Sequence, residues 1–254
     1  MVRKQVDLLK EVFTKHDKVV VVVLDAVNID VFRKVYGEDF EVVWSEGFST
    51  EPWLIKTFIE NSENKIFREV TYICSNPFCE LHFNKLRKIF HTIIPLSQKY
   101  WNSKYGTVMP AVVTTSTLIY AKFYKYRKMI VHYMQPHPPF IHLSYNEPSI
   151  RKEDVVEKKI NREYLLARCS WRYRKFFKLA YVKNLEIVLT HVRKLTNELK
   201  QMNYEVYLTA DHGEILGKWR PNPLKPKWLF GLCRFVGHTR DFEELHLVPW
   251  VRLD

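Results

Sequence analysis

The chain has 254 residues, 46% of them hydrophobic, with 16 Phe, 14 Tyr and 7 Trp but only 7 Gly. That length and composition suffice for a large packed core and exclude a low-complexity or disordered chain. A net charge of +12 favours anionic partners: nucleic acid, anionic lipid, or a phosphate- or sulfate-bearing substrate.

The first eighteen residues, MVRKQVDLLKEVFTKHDK, are charged throughout and contain no apolar signal core. Val6, Leu9, Val12 and Phe13 recur at helical spacing and predict an amphipathic helix over 3–15. Next comes Lys18-VVVVVL-Asp25, the longest apolar run. It is far too short for a membrane span, which takes about 20 residues, and the chain is expected to be soluble and cytoplasmic. An unalternating valine run predicts a strand buried on both faces, as in a parallel sheet. It ends on Asp25, which reads either as a metal ligand or as the N-cap of a helix over 29–36.

A short strand is expected at Phe40–Trp44, followed by Ser49-Thr50-Glu51-Pro52-Trp53. Pro52 marks a first helical turn. Ser49 or Thr50 is then either an N-cap or a nucleophile at a helix start, where free amides favour an anion. Val70–Cys74 reads as a strand, 80–90 as helix, 95–110 as loop and 114–127 as helix. Met129–Met134 is another apolar strand, within which His132 reads as a core residue. The strand runs into Gln135-Pro136-His137-Pro138-Pro139-Phe140, whose prolines keep His137 out of regular structure. Four cysteines, Cys74, Cys79, Cys169 and Cys233, include no Cys-x-x-Cys pair and read as free thiols in a reducing compartment; a Cys74–Cys79 bridge is the alternative.

The segment 151–201 is basic and helical, with one helix over 153–176 and a second, Leu179–Lys200, that carries an apolar stripe and packs on the sheet. Arg168 to Lys178, interleaved with Trp171, Tyr173, Phe176 and Phe177, reads either as a nucleic-acid surface or as an ordinary amphipathic face with snorkelling bases. A buried strand over 205–210 leads directly into Asp211-His212-Gly213-Glu214, an oxygen and a nitrogen donor side by side, with Gly213 allowing a sharp turn. The stretch 218–236 reads as a surface loop delivering Val236-Gly237-His238, and a last strand covers Val248–Leu253. The alternation predicts a single domain over 1–254: a three-layer α/β sandwich with a mostly parallel central sheet. Asp25, Thr50, His137, Asp211 and His212 then share one edge, with His238 brought back by its loop.

Six segments in this order, VVVVVLDAVNID, GFSTEPW, MIVHYMQPHPPF, AYVKNLEIVLTHVRKLTNEL, YLTADHGE and VGHTRDFEELHLVPW, resemble the alkaline phosphatase/sulfatase superfamily in its compact sulfatase-like branch. The resemblance implies a metal site of Asp25, Asp211, His212 and the Thr50 hydroxyl. It implies Thr50 as nucleophile, with Ser49 as the fallback, and His137 and His238 as substrate-binding residues. Sulfatases proper carry Cys or Ser in a C/S-x-Pro-Ser-Arg motif that becomes formylglycine. Here Thr50-Glu51-Pro52-Trp53 stands in its place, the threonine type of the phosphodiesterase and phosphoglycerol-transferase branches. Ala26 follows Asp25 and no second Asp completes a two-metal site, so one divalent ion is expected, Zn or Mn favoured over Mg or Ca. The implied activity is metal-dependent hydrolysis or transfer of a phosphate-type ester on an anionic small molecule or polymer. A sulfuric ester hydrolase and an inactive relative that binds nucleic acid or another anionic polymer are the alternatives. The sequence is silent on oligomeric state.

Overall fold

A computed structural model describes residues 2–143, 151–156, 171–221 and 232–253. Seven strands form one central sheet: β1 (Val19–Asp25), β2 (Glu41–Trp44), β3 (Val70–Cys74), β4 (Thr92–Pro95), and then β7 (Lys128–Pro136), β8 (Glu205–Ala210) and β11 (Leu247–Leu253). Two minor antiparallel pairs complete the set, β5 (Trp101–Asn102) with β6 (Thr107–Val108) and β9 (Ile215–Pro221) with β10 (Leu232–Gly237). The large sheet runs in the order β2-β11-β8-β1-β7-β3-β4. Its pairings are parallel except for β11, which lies antiparallel between β2 and β8. This is the expected three-layer α/β sandwich with a mostly parallel sheet.

The valine run puts β1 at the centre. All of its residues are buried, flanked by β7 on one side and β8 on the other. Burying one such side chain is worth about 1.5–3 kcal/mol, so the strand cannot be placed at an edge without large loss. Helices α1 (Gln5–Lys15), α2 (Ile29–Tyr36) and α3 (Thr50–Leu54) fall where the sequence predicts them, within two residues at each start. From α1, buried Gln5 donates to the Ala210 carbonyl at 2.6 Å and accepts the Trp53 indole N–H at 2.7 Å. One side chain thereby ties α3 to the end of β8.

Several expectations are corrected. The predicted helices over 153–176 and 179–200 are replaced, where described, by a helix Lys152–Val156 and one long helix Trp171–Gln201; residues 157–170 lie outside the described residues. The predicted helix over 114–127 begins earlier, at Pro110, because proline is well suited to a first helical position, and its regular part ends at Ile119. The 95–110 loop contains a helical turn, Ser97–Tyr100, and the β5–β6 pair. The 218–236 loop contributes backbone to the β9–β10 ladder, which its Pro- and Lys-rich composition conceals; residues 222–231 lie outside the described residues. The long helix exposes Tyr173 and Phe176 but buries Phe177 against Phe140, Tyr181 and Leu216, so part of the aromatic-basic cluster is packing.

Cys74 and Cys79 are not free thiols. They form a disulfide with Cα atoms 6.6 Å apart, because the Ser75-Asn76-Pro77 turn after β3 folds Cys79 back over the strand end. Cys169 and the Cys233 side chain lie outside the described residues. Alkylating the denatured, unreduced protein should leave Cys74 and Cys79 unlabelled, and prior reduction should expose both; labelling at both without reduction would contradict the bond.

Glu46 sits in the turn between β2 and α3 with both carboxylate oxygens buried. Burial raises its pKa from 4.5 to about 7, although its own amide, that of Val6 and the Lys4 charge pull the other way. The folded state therefore binds this proton more tightly than the unfolded chain, and stability falls as pH rises from about 4.5 through about 7. A shift of this size corresponds to at most about 3 kcal/mol. Glu46→Gln should raise Tm at pH 8 and change it little at pH 4.5, as read by calorimetry at both pH values.

Candidate metal centre and nucleophile

Three parallel strands end together, and their ends carry the site. Asp25 closes β1, Asp211 and His212 follow β8, and His137 follows β7. The backbone stitches these ends across: Asp211 N donates to Leu24 O at 3.1 Å, Val27 N to His212 O at 2.9 Å and His137 N to Asp25 O at 3.2 Å. From outside the sheet, the long helix pins both neighbouring loops. Tyr181 Oη donates to Ala26 O at 2.6 Å, and Asn184 Nδ2 donates to Pro136 O at 3.1 Å.

The ordinary structural roles of the polar residues are filled by others. The N-cap of α2 is Asn28, which accepts from Val31 N at 3.0 Å, so Asp25 caps nothing. Ser49 occupies the N-cap position of α3 but its hydroxyl makes no capping bond. Asp211 is followed by β9 and not by a helix. Thr50 Oγ1 donates to Asp211 Oδ2 at 2.8 Å. Thr50, rather than Ser49, thus faces the carboxylates.

Asp211 is the most heavily bonded group. Its Oδ1 accepts from Ala26 N at 3.1 Å and His212 N at 2.7 Å, while Oδ2 accepts Thr50. Burial alone would push its carboxyl up, but His212 beside it, then His132 and the Thr50 hydroxyl, hold it well below the usual carboxylate range. His212 Nε2 lies 3.4 Å from Asp25 Oδ1 and 3.7 Å from Asp211 Oδ2. Burial disfavours its charge, yet Asp211 and Asp25 raise its pKa to about 9.

This cluster suits a divalent cation. Among the described residues, buried Asp25 Oδ1, His132 Nε2 and His212 Nε2 have no hydrogen-bond partner. Donor atoms of Asp25, His132 and Asp211 all lie within 4.8 Å of one another. Buried carboxylates side by side repel unless a cation stands between them, and mixed oxygen and imidazole donors suit Zn or Mn. Asp25, Thr50, Asp211 and His212, the expected metal set, are brought together.

His137 and His238 stand over the same centre. The His212 and His238 rings lie 4.5 Å apart, and the His137 and His238 rings 5.1 Å apart. Glu214 Oε2 is 3.2 Å from His238 Nδ1. Burial pushes His238 down despite Glu214, and His212 and His137 oppose its charge as well.

Two residues of the centre escape a reading of the sequence alone. Asn76, after β3, donates to Asp25 Oδ2 at 2.8 Å and to Thr50 Oγ1 at 3.3 Å. His132, assigned to the core, is fully buried but reaches to 3.5 Å from Asp211 Oδ2. In hindsight, a strand ending in Cys74-Ser75-Asn76-Pro77 parallel to one ending near Asp25 was the available signal for Asn76. For His132, an imidazole in an otherwise apolar central strand was the only clue.

Gly213 is required, though not for a sharp turn. A Cβ there would stand 2.6 Å from Glu244 O and 3.0 Å from Leu245 Cα, and Gly213 N donates to Leu245 O at 2.7 Å. The Glu244–Leu245 segment shortly before β11 packs directly on the site backbone.

A groove of about 910 Å³ lies beside this centre and not over it. It runs between α2, the long helix and Leu216–Lys218, with Lys34, Lys178, Lys183 and Arg193 in its walls.

Among solved structures, the chain resembles a presumptive sulfatase from Bacteroides thetaiotaomicron (TM-score 0.57, 11% identity, 93% of this chain and 64% of that one). It also resembles a protein captured with its substrate D-glucosamine-2-N,6-O-disulfate (0.52, 11%, 93% and 71%). A third likeness is to the integral membrane lipooligosaccharide phosphoethanolamine transferase A of Neisseria meningitidis (0.51, 17%, 93% and 48%). The chain thus spans 64% of the first and about half of the third. No protein-family model and no curated protein matches the sequence. Among the described residues no helix is long and apolar enough to cross a membrane.

Gly213→Ala should lower stability by about 1–3 kcal/mol, the usual range for overpacking, and loosen divalent-metal binding with it. Both are read by thermal melts with and without added Zn; an unchanged Tm would show that the Glu244–Leu245 segment yields freely.

Proposed function

We propose that this chain, which carries the alkaline phosphatase/sulfatase fold, is a metal-dependent enzyme that hydrolyses or transfers phosphate-type esters through Thr50. The observation that carries this reading is the Thr50 hydroxyl hydrogen-bonded to Asp211 at 2.8 Å, beside the unpartnered buried Asp25 Oδ1 and His212 Nε2. Proteins of similar fold include a phosphoethanolamine transferase and one whose substrate is a disulfated sugar. Tetrahedral anionic esters are the chemistry those two have in common.

Asp25, Asp211, His212 and Thr50 would hold the ion, Zn or Mn in preference to Mg or Ca. A divalent cation bound there would lower the pKa of the Thr50 hydroxyl and neutralise charge on the ester. The chain's own groups do the rest. Asp211 Oδ2 receives the Thr50 hydrogen bond and so orients the oxygen. Asn76 donates to Thr50 Oγ1 from the other side and fixes the direction from which it attacks. The Thr50 oxygen, its proton released to solvent, bonds to phosphorus; the ester's alkoxide leaves with the electron pair of the broken P–O bond and takes a proton from water, and a phosphothreonine results. Water, or an acceptor alcohol, then attacks phosphorus and frees Thr50. His137 and His238, above His212, would donate to the non-bridging oxygens as charge builds there. Glu214 orients His238 through its Nδ1. Lys34, Lys178 and Arg193 of the adjoining groove would attract an extended anionic substrate.

Sulfate esters are disfavoured, since threonine cannot become formylglycine. A nucleic-acid role finds partial support in the net charge of +12 and exposed Tyr173 and Phe176.

Thr50→Ala, loaded with excess Zn until Asp25, Asp211 and His212 hold the ion as checked by elemental analysis, should lose at least about a thousandfold in turnover of chromogenic phosphate mono- and diesters. A chelator should abolish turnover of the native chain and added Zn or Mn should restore it. Full turnover by Thr50→Ala with metal present would refute the nucleophile.

A further inference from the structure

The two histidines that face the carboxylates differ in what holds their other ring nitrogen. His212 Nδ1 lies 2.8 Å from the Gly213 carbonyl oxygen. A carbonyl only accepts, so Nδ1 carries a hydrogen, and loss of the proton on Nε2 leaves there the lone pair that binds a metal. His132 Nδ1 instead lies 2.8 Å from the Tyr72 phenol, which can donate or accept.

The surroundings of Tyr72 decide which. The side chain is fully buried, with the Phe90 ring at 5.1 Å and the Phe58 ring at 6.0 Å. Among the described residues its hydroxyl has one hydrogen-bond partner, His132. If the phenol accepted, its own hydrogen would be orphaned in an apolar cluster, and the His132 Nε2 lone pair would face the Asp211 carboxylate 3.5 Å away. Both are unfavourable. If the phenol donates to Nδ1, its hydrogen is used and Nε2 presents N–H to that carboxylate. The disulfide sulfur of Cys74, 4.0 Å from Nδ1, is too weak a partner to alter this choice.

We propose that His132 is a positioning residue and not an ion ligand: Tyr72 donates to Nδ1, and Nε2–H donates to Asp211 Oδ2. The Trp53 ring, edge-on at 5.4 Å, fixes the imidazole plane. Closing the 3.5 Å contact to ordinary hydrogen-bond length takes roughly half an ångström. Asp211 then has both oxygens engaged, Oδ1 by the amides of Ala26 and His212 and Oδ2 by Thr50 and His132. Its carboxylate is held in one orientation, as partners behind a metal ligand commonly do. The functional consequence rests on the metal-dependent reading above; the direction of the hydrogen bonds does not.

Long-range proton–nitrogen NMR on the metal-free protein gives the first test. His132 should be protonated at Nε2 with Nδ1 as an acceptor, and Tyr72→Phe should change the Nδ1 shift; protonation at Nδ1 with a bare Nε2 would overturn the proposal. X-ray absorption of the Zn-loaded protein gives the second. The count of imidazole nitrogens around Zn should be the same in the native chain and in His132→Gln, whose amide N–H stands near the place of Nε2; loss of one nitrogen would make His132 a ligand. His132→Gln should keep Zn affinity within about threefold, whereas His132→Leu should weaken it about tenfold to a hundredfold. Native affinity in His132→Leu would remove the positioning role. A native chain that binds no divalent metal would refute the metal-dependent reading alone, and the NMR result would still judge the relay.

Discussion

The carboxylate of Asp211 is the constraint on which the site depends. It takes hydrogen bonds from the Ala26 amide after β1, the His212 amide after β8 and the hydroxyl of Thr50 at the start of α3. Three separate pieces of chain converge on two oxygen atoms. A buried carboxylate is tolerable only when so supplied with donors. The reverse also holds: the donors stay where they are because a charge sits between them. Ser45 reinforces the arrangement from behind, its hydroxyl donating to the Asp211 carbonyl, and His246 Nδ1 meets the Ser45 carbonyl at 2.8 Å.

Around this charge the fold assigns polar roles economically. Asn28 caps α2 and also donates through its amide to the Glu214 carbonyl at 2.7 Å, which relieves Asp25 of the capping role. Gln5 joins α1, α3 and β8. Asn184 holds the loop that carries His137. What remains without a hydrogen-bond partner among the described residues, Asp25 Oδ1 and the outer nitrogen of His212, points to one place. Ala26, at φ +63°, occupies a conformation that non-glycine residues adopt sparingly. It is held there by the bonds its amide and carbonyl make to Asp211 and Tyr181.

Much of this was legible in the sequence, for definite reasons. An unbroken valine run has one stable place in an α/β sheet, and acids or histidines just past such strands are brought to a common edge by parallel pairing. Asp25, Asp211, His212 and His137 follow from that rule; Pro52 narrows the hydroxyl to Ser49 or Thr50, and the choice of Thr50 comes from the family resemblance. Asn76 did not, because a turn residue after an ordinary strand looks like any other turn residue until the neighbouring strand is known. His132 was misplaced for a related reason. Strand alternation says which face a residue takes, but not that this face is the one lined by Asp211. The disulfide was hidden because Cys74 and Cys79 lie too close in sequence for a sheet-and-helix pattern to separate bridge from coincidence.

The centrality of β1 has a consequence for how the chain acquires its structure. Its two partners, β7 and β8, begin at Lys128 and Glu205, so the five-valine strand is made long before either exists. Until then it is a short, uncharged, strongly β-forming segment of the kind that pairs with copies of itself. Closing those pairings means bringing together residues as far apart as Val19 and Glu205, a demand that slows folding. The charged residues on both sides, Lys15, Asp17 and Lys18 before and Asp25 after, act as gatekeepers during that wait. Asp25 therefore serves the nascent chain as well as the finished site: it interrupts the apolar run at its carboxyl end before any ion or substrate can have arrived.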